Sequence, residues 1–225
     1  MHPLDTPAWS ALTSVQARMG VGDARARRFL PHFTKIGAVA DATPDAYEAL
    51  AQLMEPEEAL YLVSHDIALP RALRLVREGM TAQMVYDGSP IERVSGMPIE
   101  PLGDADSDAM VALTTLTRPG PFGSRTHEFG GYVGIKRDGE LVAMAGQRMA
   151  VPGFREVSAV CTHPDHRGRG YAKALMLHVM AGIIARGERP FLHVEDHNVN
   201  AKRIYERMGF RQRLAFLLRV ACRST

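Results

Sequence analysis

The stretch EVSAVCTHPDHRGRGYA, Glu156 to Ala172, narrows the folds open to this chain more than any other segment. Glu156 to Thr162 is a short apolar run of strand type. Ala172, Leu175, Met176, Val179, Met180 and Ile183 then recur at i, i+3, i+4, i+7 and predict a helix from about Gly170 to Arg186 with one face on a sheet. Only a short glycine-bearing loop joins the two. A strand that turns into a helix in this way exposes successive backbone N–H groups at the positive end of the helix, where a phosphate can approach without a side chain in its path. Arg167, Arg169 and Lys173 surround Gly168 and Gly170 with positive charge. The expectation is an α/β fold with an anion site at this turn.

Charge supports an anionic ligand. Met1 to Gln147 holds 13 basic and 19 acidic residues, net −6, whereas Arg148 to Thr225 holds 14 and 6, net +8. Nucleic acid, an anionic membrane surface or a phosphate-bearing cofactor would each answer that excess. Two nucleotide motifs fail on residues. A P-loop needs Gly-Lys-Ser/Thr, which is missing, and a dinucleotide fingerprint needs a third glycine where Lys173 stands.

The rest of the chain divides by character. In the first part, Thr43 to Met54 reads as a helix capped by Thr43 with Pro44 at its first position. Ala59 to Val63 reads as a strand, and Ala72 to Tyr86 as a hairpin turning at Glu78-Gly79. Asp87 to Asp108 is rich in glycine and proline and is the expected boundary. Residues 1–96 are thus read as an N-terminal α/β segment of unassigned role, and 97–225 as a second unit. That unit predicts a helix over Asp106–Leu116, a loop to Gly131, and strands at Tyr132–Lys136 and Leu141–Met149 around an Asp138-Gly139 turn. Further strands are expected at Glu156–Thr162 and Phe191–Val194, then a helix at Asn200–Met208 and a strand at Leu214–Ala221.

Two spaced motifs carry a family resemblance. Arg167-x-x-Gly170-x-Ala172 resembles the pyrophosphate loop of the GNAT superfamily of N-acetyltransferases. Downstream, Asn198-x-x-Ala201-x-x-x-Tyr205-x-x-x-Gly209-Phe210 resembles the second cofactor motif of that superfamily. The resemblance covers about Ile99 to Val220, with a bacterial subgroup related to glycine N-acyltransferase-like domains as the nearest in character. It implies a mixed sheet splayed at the Glu156 strand and flanked by helices, with acetyl-CoA as co-substrate wedged in the gap. Val160, Cys161 and Thr162 would offer free backbone groups to the thioester arm. Arg167, Gly168, Arg169, Gly170, Tyr171, Ala172 and Lys173 would hold the pyrophosphate, and Asn198 and Ala201 the pantetheine side. The reaction implied is direct attack by a primary amine, on a small molecule or a protein, in a ternary complex.

Roles follow from that resemblance and from proton chemistry. An alkylamine is nearly all ammonium at neutral pH, so a base must act before attack, and Glu156 stands at the family's spacing for it. Roughly 13 Å of strand separates Glu156 from Val160, so water would link them; the plainer reading is an exposed edge carboxylate paired with Arg148 or Arg155. Tyr205 matches the acid that protonates the departing thiolate, or else is a core aromatic. Asn198 would serve equally as a helix N-cap.

Other chemistries find less support. Cys161 has no evident base for a covalent acyl step and fits a packed strand better. His163, His166, His193 and His197 lack metal-ligand spacing and read as loop histidines, so no metal is expected. The alternatives kept are a CoA-binding regulatory module without turnover and, from the basic third, a nucleic-acid binder; aromatics there do not interleave with arginine as a base-stacking platform would require. Cys161 and Cys222 form no disulfide framework, and the start of the chain has no basic-then-apolar leader, which predicts a cytoplasmic protein with no membrane or nucleic-acid partner. The first 96 residues would form an acceptor wall or a homodimer surface.

Overall fold

The computed structural model describes residues 2–64, 69–88, 91 and 96–224. The N-terminal part contains α1 (Pro7–Thr13), β1 (Gly20–Gly22), β2 (Ala26–Phe29), β3 (Gly37–Val39), α2 (Pro44–Gln52), β4 (Ala59–Ser64) and β5 (Leu73–Tyr86). The remainder runs β6 (Glu100–Pro101), α3 (Ser107–Thr117), β7 (Val133–Arg137), β8 (Glu140–Val151), β9 (Phe154–Thr162), α4 (Tyr171–Ala185), β10 (Arg189–Glu195), α5 (Val199–Arg207) and β11 (Phe210–Arg223). Local chemistry explains many boundaries. The Thr43 hydroxyl accepts from Ala46 N–H ahead of α2, with Pro44 in the first turn. Asp138 and Gly139 both take positive φ, 52° and 82°, as a two-residue hairpin turn between β7 and β8 requires.

Strands β1–β3 form a small antiparallel sheet, and the other eight make one mixed sheet in the order β4-β11-β5-β10-β9-β8-β7-β6. Two strands of the first 96 residues therefore lie in the same sheet as the rest, so the change in sequence character near Met97 is no break in that sheet. Of the turn-rich stretch around it, Ser89, Pro90 and Glu92 to Ser95 lie outside the described residues. The hairpin expected over Ala72–Tyr86 is not formed. β5 is one 14-residue strand, paired with β11 from Leu73 opposite Arg223 to Tyr86 opposite Phe210. Gly79 sits within that ladder, and Glu-Gly imitates a turn only when the distant partner strand is left out.

Packed side chains cover both faces of the middle of the sheet. Leu175, Met176, Val179, Met180 and Ile183 of α4 pack on Val133, Ile135, Val142, Val157 and Leu192. On the opposite face, Leu4, Leu12, Phe29, Phe33 and Ile36 pack on Val85, Met149, Val151 and Phe191. Burial of each such side chain contributes about 1.5–3 kcal/mol. Gln16, itself buried, fastens the N-terminal part to β8, donating to the Arg148 carbonyl at 2.7 Å and accepting from Ala150 N–H at 2.9 Å.

The sheet splits between β9 and β10. They pair in parallel only from Phe154 opposite Arg189 to Glu156 opposite Phe191. Past that point β9 stays with β8, and β10 stays with β5. A bulge marks the split strand: register with β8 skips between Ser158 and Cys161, and Ala159 adopts φ 52°. A non-glycine residue in that region costs of order 1–3 kcal/mol and is kept where surrounding structure enforces it, commonly beside a functional site.

Candidate active site

The split opens into a cavity of about 760 Å³. One wall is the free edge of β9, Val160, Cys161 and Thr162, facing His193, Val194 and Glu195 of β10. Arg167 and Ala172 close one end, and Asn198 and Tyr205 approach from α5. A second wall comes from the N-terminal part: Pro7, Ala8, Ile36, Tyr61 and Val63. Arg118 to Pro121, from the loop that follows α3, complete the rim with Arg148 and Met149.

The glycine loop between β9 and α4 is built on left-handed backbone. Gly168 and Gly170 adopt φ 75° and 78°, and Gly170 is the residue from which α4 starts. A Cβ at Gly168 would meet nothing within 4 Å, and one at Gly170 only Met97 Cε at 3.8 Å. Conformation, not crowding, selects glycine here. Gly170→Ala is expected to cost about 1–2 kcal/mol through that φ, and, by shifting the N–H groups at the start of α4, to weaken CoA binding; titration calorimetry with CoA checks it. Arg167, Arg169 and Lys173 are exposed around the loop. Tyr171 differs: its ring is buried in the α4 core and its hydroxyl accepts from Arg137 Nε at 3.1 Å, so only its backbone is available to a phosphate.

Asn198 caps α5, its side chain accepting from Ala201 N–H at 3.2 Å, while also lining the cavity. Tyr205 packs edge-on to Phe210, 6.2 Å between centroids, and lines the cavity as well. Burial pushes its phenol above the usual tyrosine value, keeping the proton on oxygen at neutral pH. The thiol of Cys161 is pushed up to about 11, chiefly by burial, which leaves it almost wholly protonated.

Glu156 is not an exposed edge carboxylate. It is 0% exposed, with four donors around it. Oε1 accepts from Arg148 Nη2 at 2.7 Å and His193 Nδ1 at 2.8 Å; Oε2 accepts from Arg148 Nε at 2.9 Å and Met149 N–H at 3.2 Å. Burial alone would raise its pKa, but the charge and hydrogen bonds of Arg148, joined by His193, outweigh it and hold the carboxyl at about 2. Arg155 pairs instead with Glu188 at 2.7 Å. His193 is no loop histidine: it lies on β10, nearly buried, one wall of the cavity. Its neighbourhood to Glu156 follows from the β9/β10 register, which sequence spacing does not display. Among the described residues no group of three or more His, Cys, Asp or Glu is arranged to hold a metal, and no helix is long and apolar enough to cross a membrane.

Comparison with known proteins agrees with this architecture. The family model for FR47-like protein matches residues 132–219, the segment holding both spaced motifs. A GNAT-family protein of known structure from Novosphingobium aromaticivorans is 39% identical over 100% of both chains, with a TM-score of 0.92. The chain belongs to the GNAT family. GNAT folds of lower identity superpose over nearly the full length: a GCN5-related N-acetyltransferase from Kribbella flavida (17% identity, 97% of this chain and 95% of that one, TM-score 0.65) and one from Sphaerobacter thermophilus (15%, 100% and 95%, 0.56). No curated protein matches the sequence. The GNAT fold is that of acetyltransferases and supports N-acetyltransferase activity in general terms.

Proposed function

We propose that this GNAT protein moves an acetyl group from acetyl-CoA to a primary amine by direct attack while both are bound. One observation carries the reading: a single cavity runs from the glycine loop and the free edge of β9 to the wall supplied by the N-terminal part. The residues fit acetyl-CoA. The Arg167–Lys173 loop offers N–H groups and positive charge to the pyrophosphate, and Val160, Cys161 and Thr162 offer backbone groups on their β10 side to the pantetheine amides. A backbone N–H at the bulge polarises the thioester carbonyl as charge grows on oxygen. Tyr205, protonated and on the cavity wall, supplies the proton to the leaving thiolate. The acceptor enters against Ile36, Tyr61 and Val63, which gives residues 1–96 their role as an acceptor wall. Glu156 acts on the amine at one remove, being wholly enclosed.

Acetyl-CoA and CoA are each expected to raise the melting temperature. At a hundredfold excess over Kd the gain is about 2.7 kcal/mol, roughly 5–10 °C for a chain of this size. The absence of any shift with either ligand would remove the acetyl-transfer reading. A mass gain of one acetyl group on a candidate amine identifies acyl group and acceptor together.

A further inference from the structure

We propose that His193 takes the proton from the incoming amine, and that Glu156 is a positioning residue that holds the imidazole for this task. The inference rests on the acetyl-transfer reading above and assigns its missing proton acceptor.

The hydrogen-bond network fixes the state of the ring. Arg213 Nη1 can only donate, so the group it meets at 3.1 Å is the Gln83 oxygen. The Gln83 amide nitrogen then faces the Leu4 carbonyl at 2.9 Å and His193 Nε2 at 3.3 Å. An amide nitrogen is a donor, so Nε2 presents a lone pair and the ring proton sits on Nδ1, donated to Glu156 at 2.8 Å. Phe191 and Phe216 flank the imidazole edge-on at 5.7 and 6.0 Å and keep it in this plane. The contact at Nε2 is the longest in the network and lies outside the usual 2.7–3.2 Å range, so an amine entering the cavity that His193 lines displaces only this weak contact with the Gln83 amide to reach the lone pair.

Position separates the two residues. His193 lines the same cavity as Val160 and Tyr205, whereas Glu156 is enclosed with both oxygens occupied by donors. The charged groups around the ring are Glu156 of β9 with Arg148 of β8 behind it, Arg213 of β11 behind Gln83, and, along the cavity, Glu195 of β10 paired with Arg77 of β5. Glu156 faces the positive charge that develops when the ring takes a proton, as the carboxylate of a catalytic dyad does. In the step, one proton passes from the ammonium to Nε2 and the freed nitrogen attacks the thioester carbon. The N–C bond forms and the C–S bond breaks. The thiolate receives the Tyr205 proton, the proton shed by nitrogen as the amide forms restores the phenol through solvent, and the imidazolium returns its proton to solvent.

The test uses two small nucleophiles with acetyl-CoA at neutral pH: methylamine, almost all ammonium, and hydroxylamine, mostly free base. CoA release is followed for the wild type, His193→Ala and His193→Asn; asparagine keeps a donor for Glu156 without a basic nitrogen. Transfer to methylamine is expected to fall about 100-fold or more in both variants, while transfer to hydroxylamine falls less than about 3-fold. Added imidazole is expected to restore part of the methylamine rate in His193→Ala, which a merely structural histidine would not allow. An unchanged CoA-induced melting shift shows that the variant sites are folded. Equal loss with both nucleophiles, or retention of the methylamine rate, overturns the role of His193 alone. A wild-type protein that releases no CoA with either nucleophile overturns the acetyl-transfer reading itself.

Discussion

Glu156→Ala is expected to lower the melting temperature by about 10 °C or more. The substitution leaves the Arg148 guanidinium, only 14% exposed, without its counter-charge inside the sheet. Removing one partner of a buried pair costs about 3–5 kcal/mol, and in a chain of this length each kcal/mol shifts the melting point by about 2–4 °C. A second loss adds to it, because the His193 Nδ1 proton and Met149 N–H also lose their acceptor. The same carboxyl predicts the acid limb of stability. Its folded pKa, about 2, lies below the ordinary 4.5, so its contribution is fully present above about pH 4.5 and is lost as pH falls toward 2. Thermal melts at pH 7, 4 and 3 should show that decline in the wild type and a flatter one in Glu156→Gln.

Tyr205→Phe is expected to reduce turnover about 100- to 1,000-fold with little change in CoA affinity, the range for loss of a general acid. The phenol reaches the cavity from α5, but its ring is held by Phe210 and the surrounding core, contacts that phenylalanine retains. Folding and CoA binding should therefore persist while the thiolate loses its proton donor. Separate measurement of kcat and of the CoA dissociation constant checks this; equal kcat in the variant would make Tyr205 a packing residue.

Legibility in the sequence followed the range of the interactions. The helix α4, the Asp138-Gly139 turn and the caps at Thr43 and Asn198 are set by neighbours within a few residues, and all stand where the pattern predicts. The glycine loop, too, is a local object. The sequence pattern of β5 turns at Glu78-Gly79 as a hairpin would, whereas the pairing with β11 that makes it one strand is long-range and leaves no local trace. Glu156 stands out from the family resemblance, but the sequence leaves Arg148 and Arg155 equally open as its partner, and only the fold assigns Arg148 to it and Arg155 to Glu188. His193 does not stand out, since only the parallel register that sets Phe191 opposite Glu156 brings it alongside. Which side chains of the first 96 residues line the cavity was equally hidden, as Ile36 and Tyr61 reach it through contacts between parts of the chain remote from each other.

The place of β5 between β10 and β11 has a consequence for biosynthesis. Ribosomes deliver β4 and β5 long before β10 and β11 emerge, and both neighbours of β5 in the sheet belong to that late segment. Until then β5 presents two unpaired edges, and its exposed Leu75, Val76 and Met80 are open to other nascent chains. Arg74, Arg77 and Glu78, interspersed along that stretch, put charge where the strand waits longest for its partner.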